Sequence, residues 1–201
     1  AARAGVDHLL KLGHRQIGVI TSLPDDPFRF TAPVQRVEGY AAALHDAGIE
    51  PREQWRSPGG FSLRGGAEAM RRLLDQRAPP TAVFALSDEM AIGALQVARD
   101  EELDVPGDLS ILGFDDHDVS EFVGLTTIRQ DVVEQGEAAA RLLLDVLDGR
   151  GRPCLHQVLP TQLVRRTTTG PPKRQPREES ALKGTSSRSV RTLAPTRQEG
   201  T

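Results

Sequence analysis

Thr81-Ala-Val-Phe-Ala-Leu86, followed at once by Ser87-Asp88 and then by Met90, Ile92, Leu95 and Val97, decides how this chain folds. A short, nearly uninterrupted apolar run reads as a strand covered on both faces. The apolar residues after it recur at helical spacing, and Asp88 is expected to cap that helix by accepting from an unpaired N–H of its first turn. A strand that passes directly into a capped helix is half of a crossover unit, and Leu109 to Phe114 supplies the next strand.

The alternation extends in both directions. Val6, Leu9 and Leu10 lie at helical spacing before the stop at Gly13, and Ile17 to Ile20 forms a short buried strand. After a loop at Pro24–Pro27, Pro33 opens a helix with Val37, Tyr40, Ala41 and Leu44 on one stripe, closed at Gly48. The Trp55 region reads as a short strand, and Ser62 caps a helix carrying Ala67, Met70, Leu73 and Leu74. Repeats of this length predict an α/β fold with a doubly wound parallel sheet and right-handed crossovers. Beyond Phe114 the pattern changes: a long loop to Leu125, an extended piece at Thr126–Ile128, and an amphipathic helix from Val132 to Leu147. Leu155 to Thr169 reads as two short strands broken near Pro160, and a disorder-type composition begins at Gly170.

Composition narrows the function classes. The chain is 38% hydrophobic and 26% charged, with a net charge of −3 and one cysteine, Cys154. A single cysteine excludes an internal disulfide and any zinc site built on several thiolates, and a reducing cytoplasm is the simplest compartment. No apolar run is long enough to span a membrane, and Ala1 to Asp7 does not read as a signal peptide. The charge is uneven: residues 171–201 carry +4 and residues 1–170 carry −7. An acidic body is a poor surface for duplex DNA, whose binding rests on neutralising phosphates. No nucleophile elbow, phosphate-binding loop or supported Cys/His pair is present, so no enzyme chemistry or cofactor is expected.

In an open parallel sheet ligands bind at the carboxyl ends of the strands. Four candidates fall there: Arg36, Phe61, Ser87 and Asp115. A guanidinium fork, an aromatic face, a hydroxyl and a carboxylate suit a sugar or polyol. Asp115-Asp-His-Asp118 has the look of a metal cluster, but no second ligand group is placed by sequence, and no metal is expected. The lone His8, His14, His45 and His156 read as structural or solvated.

The order of these segments resembles the LacI/GalR family of transcriptional repressors. His8-Leu-Leu-Lys-Leu-Gly-His-Arg-Gln-Ile17, Arg36-Val-Glu-Gly-Tyr40, Ser87-Asp-Glu-Met-Ala-Ile-Gly-Ala94, Val105-Pro-Gly-Asp-Leu-Ser-Ile-Leu-Gly-Phe-Asp-Asp116 and Leu125-Thr-Thr-Ile-Arg-Gln130 carry the likeness in unbroken order. It implies a periplasmic-binding-protein-like fold with one lobe nearly complete and the other partial. Residues 1–15 would be a linker helix of the incomplete first lobe, 16–122 the second lobe, 123–161 the crossover and returning first-lobe elements, 162–168 a final second-lobe strand, and 169–201 a disordered basic tail. The family implies a small-molecule effector, a carbohydrate first and a purine-type compound in some relatives, contacted by Arg36, Phe61, Ser87, Asp115 and Gln130. Operator DNA would be read only by an upstream head outside this chain. The resemblance also implies a homodimer, with Ile92, Leu95 and Phe122 as interface candidates. Two departures stand out: the family often has Asn at the place of Ser87, and a polar residue at that of Val34. The rival readings are a sugar-binding protein of an ABC importer, which shares the fold but needs a signal peptide or lipoprotein cysteine, and a small α/β enzyme using Asp115–Asp118.

Overall fold

The computed structural model describes residues 1–23, 30–149 and 157–173. Elements follow as α1 (Ala2–Lys11), β1 (Ile17–Thr21), α2 (Thr31–Asp46), a 3-10 turn (Glu53–Trp55), β2 (Arg56–Pro58), α3 (Leu63–Leu74), β3 (Ala82–Ala85) and α4 (Asp88–Asp100). Then come β4 (Ser110–Leu112), α5 (Asp118–Phe122), β5 (Thr127–Gln130), α6 (Val132–Leu147) and β6 (Thr161–Val164). The Pro24–Pro27 loop, Cys154, His156 and the tail from residue 174 lie outside the described residues.

Four parallel strands form the main sheet in the order β2-β1-β3-β4. From β1 the chain moves one way to β2, then returns past β1 to β3 and continues to β4. With right-handed crossovers, that reversal puts α2 on one face of the sheet and α3 and α4 on the other. It also makes the gap between β1 and β3 the switch point, where ligands settle in such sheets. The strand core is apolar throughout: Ile17, Val19, Ile20, Val83, Phe84, Ile111 and Leu112 are all at most 1% exposed. Burying a side chain the size of Phe84 contributes about 2–3 kcal/mol.

Helices α3 and α4 are close because glycines line the contact. A Cβ at Gly93 would meet the Leu63 carbonyl oxygen at 2.0 Å, and one at Gly66 would meet that of Met90 at 2.3 Å. On the other side Gly39 of α2 admits Ala2 and Arg3 of α1. Although the resemblance assigns residues 1–15 to the incomplete first lobe, Ala2, Val6 and Leu9 of α1 are buried in the same core as the main sheet, and Gly5 abuts Ile128.

The sheet edge beyond β4 is assembled from distant segments. Leu112 bridges Thr126 and Asp115 bridges Arg129 in parallel sense, while the Ile111 N–H donates to the Thr168 carbonyl at 2.8 Å. β5 pairs antiparallel with β6, so the two strands expected between Leu155 and Thr169 are one among the described residues. Residues 169–173, expected to open a disordered tail, are instead bonded to the body of the chain. Thr169 Oγ1 is bonded to His8 Nε2 at 3.0 Å, the Gly170 carbonyl accepts from His14 Nε2 at 2.8 Å, and Lys173 pairs with Asp108. A histidine buried at 1% exposure thus clasps the end of the described chain.

α6 behaves as its sequence predicts for a helix whose partner is elsewhere. Val132, Val133, Leu143, Leu144, Val146 and Leu147 are exposed, and Ala138 is its one buried residue. Among the expected interface residues, Leu95 proves to be inside the core at 9% exposure, and Ile92 packs half-buried against it, whereas Phe122 is 87% exposed. Leu95 therefore offers little surface to a partner.

Candidate functional site

Three of the five residues singled out from sequence meet at the carboxyl ends of β3 and β4. Arg36, in the second turn of α2, reaches across the switch point. Its Nη1 donates to the Leu86 carbonyl at 2.5 Å, and its Nη2 donates to Asp115 Oδ1 at 3.2 Å. Gln130, at the end of β5, donates from Nε2 to the same carboxylate oxygen at 2.6 Å. The guanidinium also lies over the Phe114 ring, 3.8 Å from its centroid, a favourable cation–π position. Phe114 is a member that sequence reading did not single out; its place as the last residue of the predicted strand, next to Asp115, was the available signal.

Burial sets the electrostatics. Desolvation pulls the Arg36 guanidinium below its usual value, and the Asp115 carboxylate opposes that shift. Desolvation likewise raises the Asp115 carboxyl, against the pull of Arg36 and the hydrogen bond from Gln130. Asp115 sits in the left-handed region at φ 124°, and Asp116 beside it at φ 63°. Such backbone costs about 1–3 kcal/mol in a non-glycine residue and is tolerated where surrounding bonds over-determine it. Those bonds are present. The Asp116 carboxylate accepts from Arg129 Nε at 2.5 Å and from Arg166 Nη1 at 2.7 Å. Burial alone would raise the Asp116 carboxyl, but these hydrogen bonds prevail and hold it below the usual carboxylate range. Asp116 is a latch between the β4 loop, β5 and the segment after β6.

Ser87 and Asp88 are both buried, and neither has the role expected of it. Ser87 is the N-cap of α4, its Oγ accepting from the Met90 N–H at 3.3 Å. Asp88 is not the cap. Fully buried, it accepts from the His117 N–H at 2.9 Å and the Ser120 hydroxyl at 2.6 Å on one oxygen, and from the Thr127 hydroxyl at 2.5 Å on the other. The expectation that Asp88 caps α4 is corrected: Ser87, equally able to cap, does so, because donors from α5, its N-cap residue His117 and β5 draw the Asp88 carboxylate away. Phe61 lies after β2, on the same sheet edge, in the left-handed conformation at φ 53° and 39% exposed. Its loop is held by the Gly59 and Gly60 N–H groups, which donate to the Thr21 carbonyl at 2.8 and 3.2 Å.

The arrangement offers a ligand a fixed guanidinium, a carboxylate with one oxygen already committed, an amide and a nearby ring. These are groups that fix hydroxyls and carbonyls in place. A groove of about 320 Å³ reaches this cluster only at Gln130; Asp116, His117, Arg129 and Arg166 are among its other walls, and Arg36 and Asp115 do not line it.

A doubly wound parallel sheet with polar groups gathered at its switch point has the architecture of a ligand-binding domain, and comparison with known proteins gives the family. Residues 6–169 match the periplasmic binding protein-like domain family, and the chain belongs to it, among the regulators of the LacI/GalR type. Over 171 residues it is 40% identical to the HTH-type transcriptional repressor CytR of Escherichia coli (strain K12), an alignment covering 84% of this chain and 49% of the relative. It is 36% identical over 167 residues to the HTH-type transcriptional regulator GalR of the same strain, covering 82% and 48%. Among solved structures it is similar to a transcriptional regulator CelR–cellobiose complex, with TM-score 0.76, 37% identity and coverage of 83% and 50%. It is also similar to a dimeric Lac repressor with an 11-residue C-terminal deletion, with TM-score 0.77, 32% identity and coverage of 86% and 61%. The chain spans about half the length of the curated relatives it matches. These relatives are transcriptional regulators, and no helix among the described residues is long and apolar enough to cross a membrane.

Proposed function

We propose that this chain is the effector-sensing part of a cytoplasmic transcriptional regulator, without enzymatic activity, that binds a small polyhydroxylated molecule, a carbohydrate first of all. The observation that carries the reading is the Arg36–Asp115–Gln130 cluster at the switch point between β1 and β3. Arg36 and Gln130 donate, Asp115 accepts, and the Phe61 ring covers an apolar sugar face. Binding favours one arrangement of the two lobes over another. That difference in affinity is what changes operator binding by a DNA-reading segment outside this chain. A homodimer formed through the surface around Ile92 and Phe122 would pass the change to two DNA half-sites. The regulator names of the relatives favour this reading over a solute-binding protein of an importer.

Thermal-shift and calorimetric titration of the chain with neutral mono- and disaccharides, nucleosides and their phosphates tests it. One neutral polyol should give saturable stabilisation at millimolar concentrations, weak because α6 lacks its partner surface. Arg36→Lys, which loses the planar fork, should weaken that binding about tenfold or more. Stabilisation that survives unchanged in both Arg36→Lys and Asp115→Asn would overturn the assignment.

A further inference from the structure

The sequence shows acidic residues around His117 but no second ligand group, and the fold supplies one. Glu89, in the first turn of α4, is brought to within 3.2 Å of His117 Nδ1 through its Oε1. On the other side of the ring, Asp115 Oδ2 stands 4.0 Å from Nε2. One ring nitrogen and one oxygen from each carboxylate lie within 4.8 Å of one another. We propose that Glu89, Asp115 and His117 form a three-ligand site for a divalent transition metal of the zinc class at the mouth of the effector cleft.

The donor set is a mixed one, an imidazole with two carboxylates, which suits zinc better than the oxygen-only coordination that magnesium and calcium prefer. Ligand distances of about 2.0–2.1 Å place tetrahedral ligand atoms about 3.3 Å apart. An ion takes only one ring nitrogen, and the two carboxylates flank different ones; the Glu89–Nδ1 pair already has that spacing, and bringing Asp115 Oδ2 to the same ion requires the imidazole to turn. The His117 and Glu89 side chains are 48% and 38% exposed, so no core packing opposes that turn.

Asp115 is the anchored ligand. Arg36 and Gln130 both bond its Oδ1, which fixes the carboxylate plane and leaves Oδ2 directed at the imidazole. Ligating carboxylates are commonly oriented this way by outer hydrogen bonds. The His117 backbone is pinned by its N–H donation to Asp88. The N-terminus of α4 opposes a cation here with about half a positive charge, and the two ligating carboxylates outweigh it. Exposure on the solvent side leaves at least one coordination position open to water or to a hydroxyl of a bound effector. Metal and effector would then share Asp115, so each would change the affinity of the other.

The test needs no effector. Calorimetric titration of the purified, chelator-treated chain with zinc, and separately with magnesium, is compared across wild type, His117→Asn and Glu89→Gln. Circular dichroism establishes that each variant is folded. The expected result is one zinc equivalent per chain, about tenfold or more weaker in each variant, with no saturable heat from magnesium. Absence of saturable zinc heat in the wild type overturns the proposal. So does zinc binding that persists undiminished in folded His117→Asn, which would place the ion on other residues. Neither outcome bears on the sugar reading, which Arg36→Lys tests independently.

Discussion

Asp88 supports the site's geometry from within the core, holding the His117 backbone rather than any group that would face a ligand. Three donors from two later elements converge on its buried carboxylate, so removing it strands a backbone N–H and two hydroxyls at once. Asp88→Ala should lower stability by about 3 kcal/mol or more in chemical denaturation, and Asp88→Asn, which keeps an acceptor, by clearly less. Equal losses for the two would mean that the hydrogen bonds are not what Asp88 contributes. Buried His14 and half-buried His8 give a pH signature. Desolvation lowers His14, against its bond to the Gly170 carbonyl, and desolvation lowers His8 with help from Arg165. A histidine depressed in the folded state contributes its full stability above the unfolded value of about 6.5 and loses it as pH falls through the lower folded value. Stability should therefore decline on mild acidification below about pH 6.5, and the decline should be shallower in a His8→Gln/His14→Asn double variant. A wild-type profile that is flat or rises with acid over that window would refute the assignment.

At the scale of elements, the glycines of α3 and α4 set how near the two helices come to each other, and hence where Ser87 and Glu89 stand. Gly93→Ala places a Cβ against the Leu63 backbone and should destabilise by roughly 1–3 kcal/mol. Gly136→Ala, in α6 with open space around it, should act in the opposite direction and stabilise by roughly 0.5–1 kcal/mol. Thermal unfolding of the pair measures both signs; two shifts of the same sign would contradict the packing described. Most of this layer was legible in the sequence. The alternation of apolar runs with capped helical stripes places β1, β3, β4, α2, α3, α4 and α6, because each buries a face at its own period. What escaped depended on distance along the chain. The Asp116–Arg166 bond joins residues 50 apart, and the docking of Gly170 on His14 joins residues 156 apart, so neither leaves a local pattern. Glu89 was hidden for the same reason, since only the fold turns its helix end toward His117.

Over the whole molecule, the described chain joins one well-packed sheet to a helix, α6, whose apolar face is open. Arg36, Asp115 and Gln130 come from α2, the loop after β4 and β5, and they meet because the strand order reverses between β1 and β3. Asp115 and Gln130 also sit where the sheet gives way to the β5–α6 segment, so a ligand held there is placed to sense movement between the two parts. The most direct measurement is amide chemical-shift mapping of the chain with the polyol that stabilises it. Perturbations should concentrate at Arg36, Phe61, Ser87, Asp115 and Gln130 and disappear in Arg36→Lys. Perturbations confined instead to the groove between Pro33, Val34 and Glu53, or to the exposed face of α6, with Asp115 and Gln130 unmoved, would contradict the account.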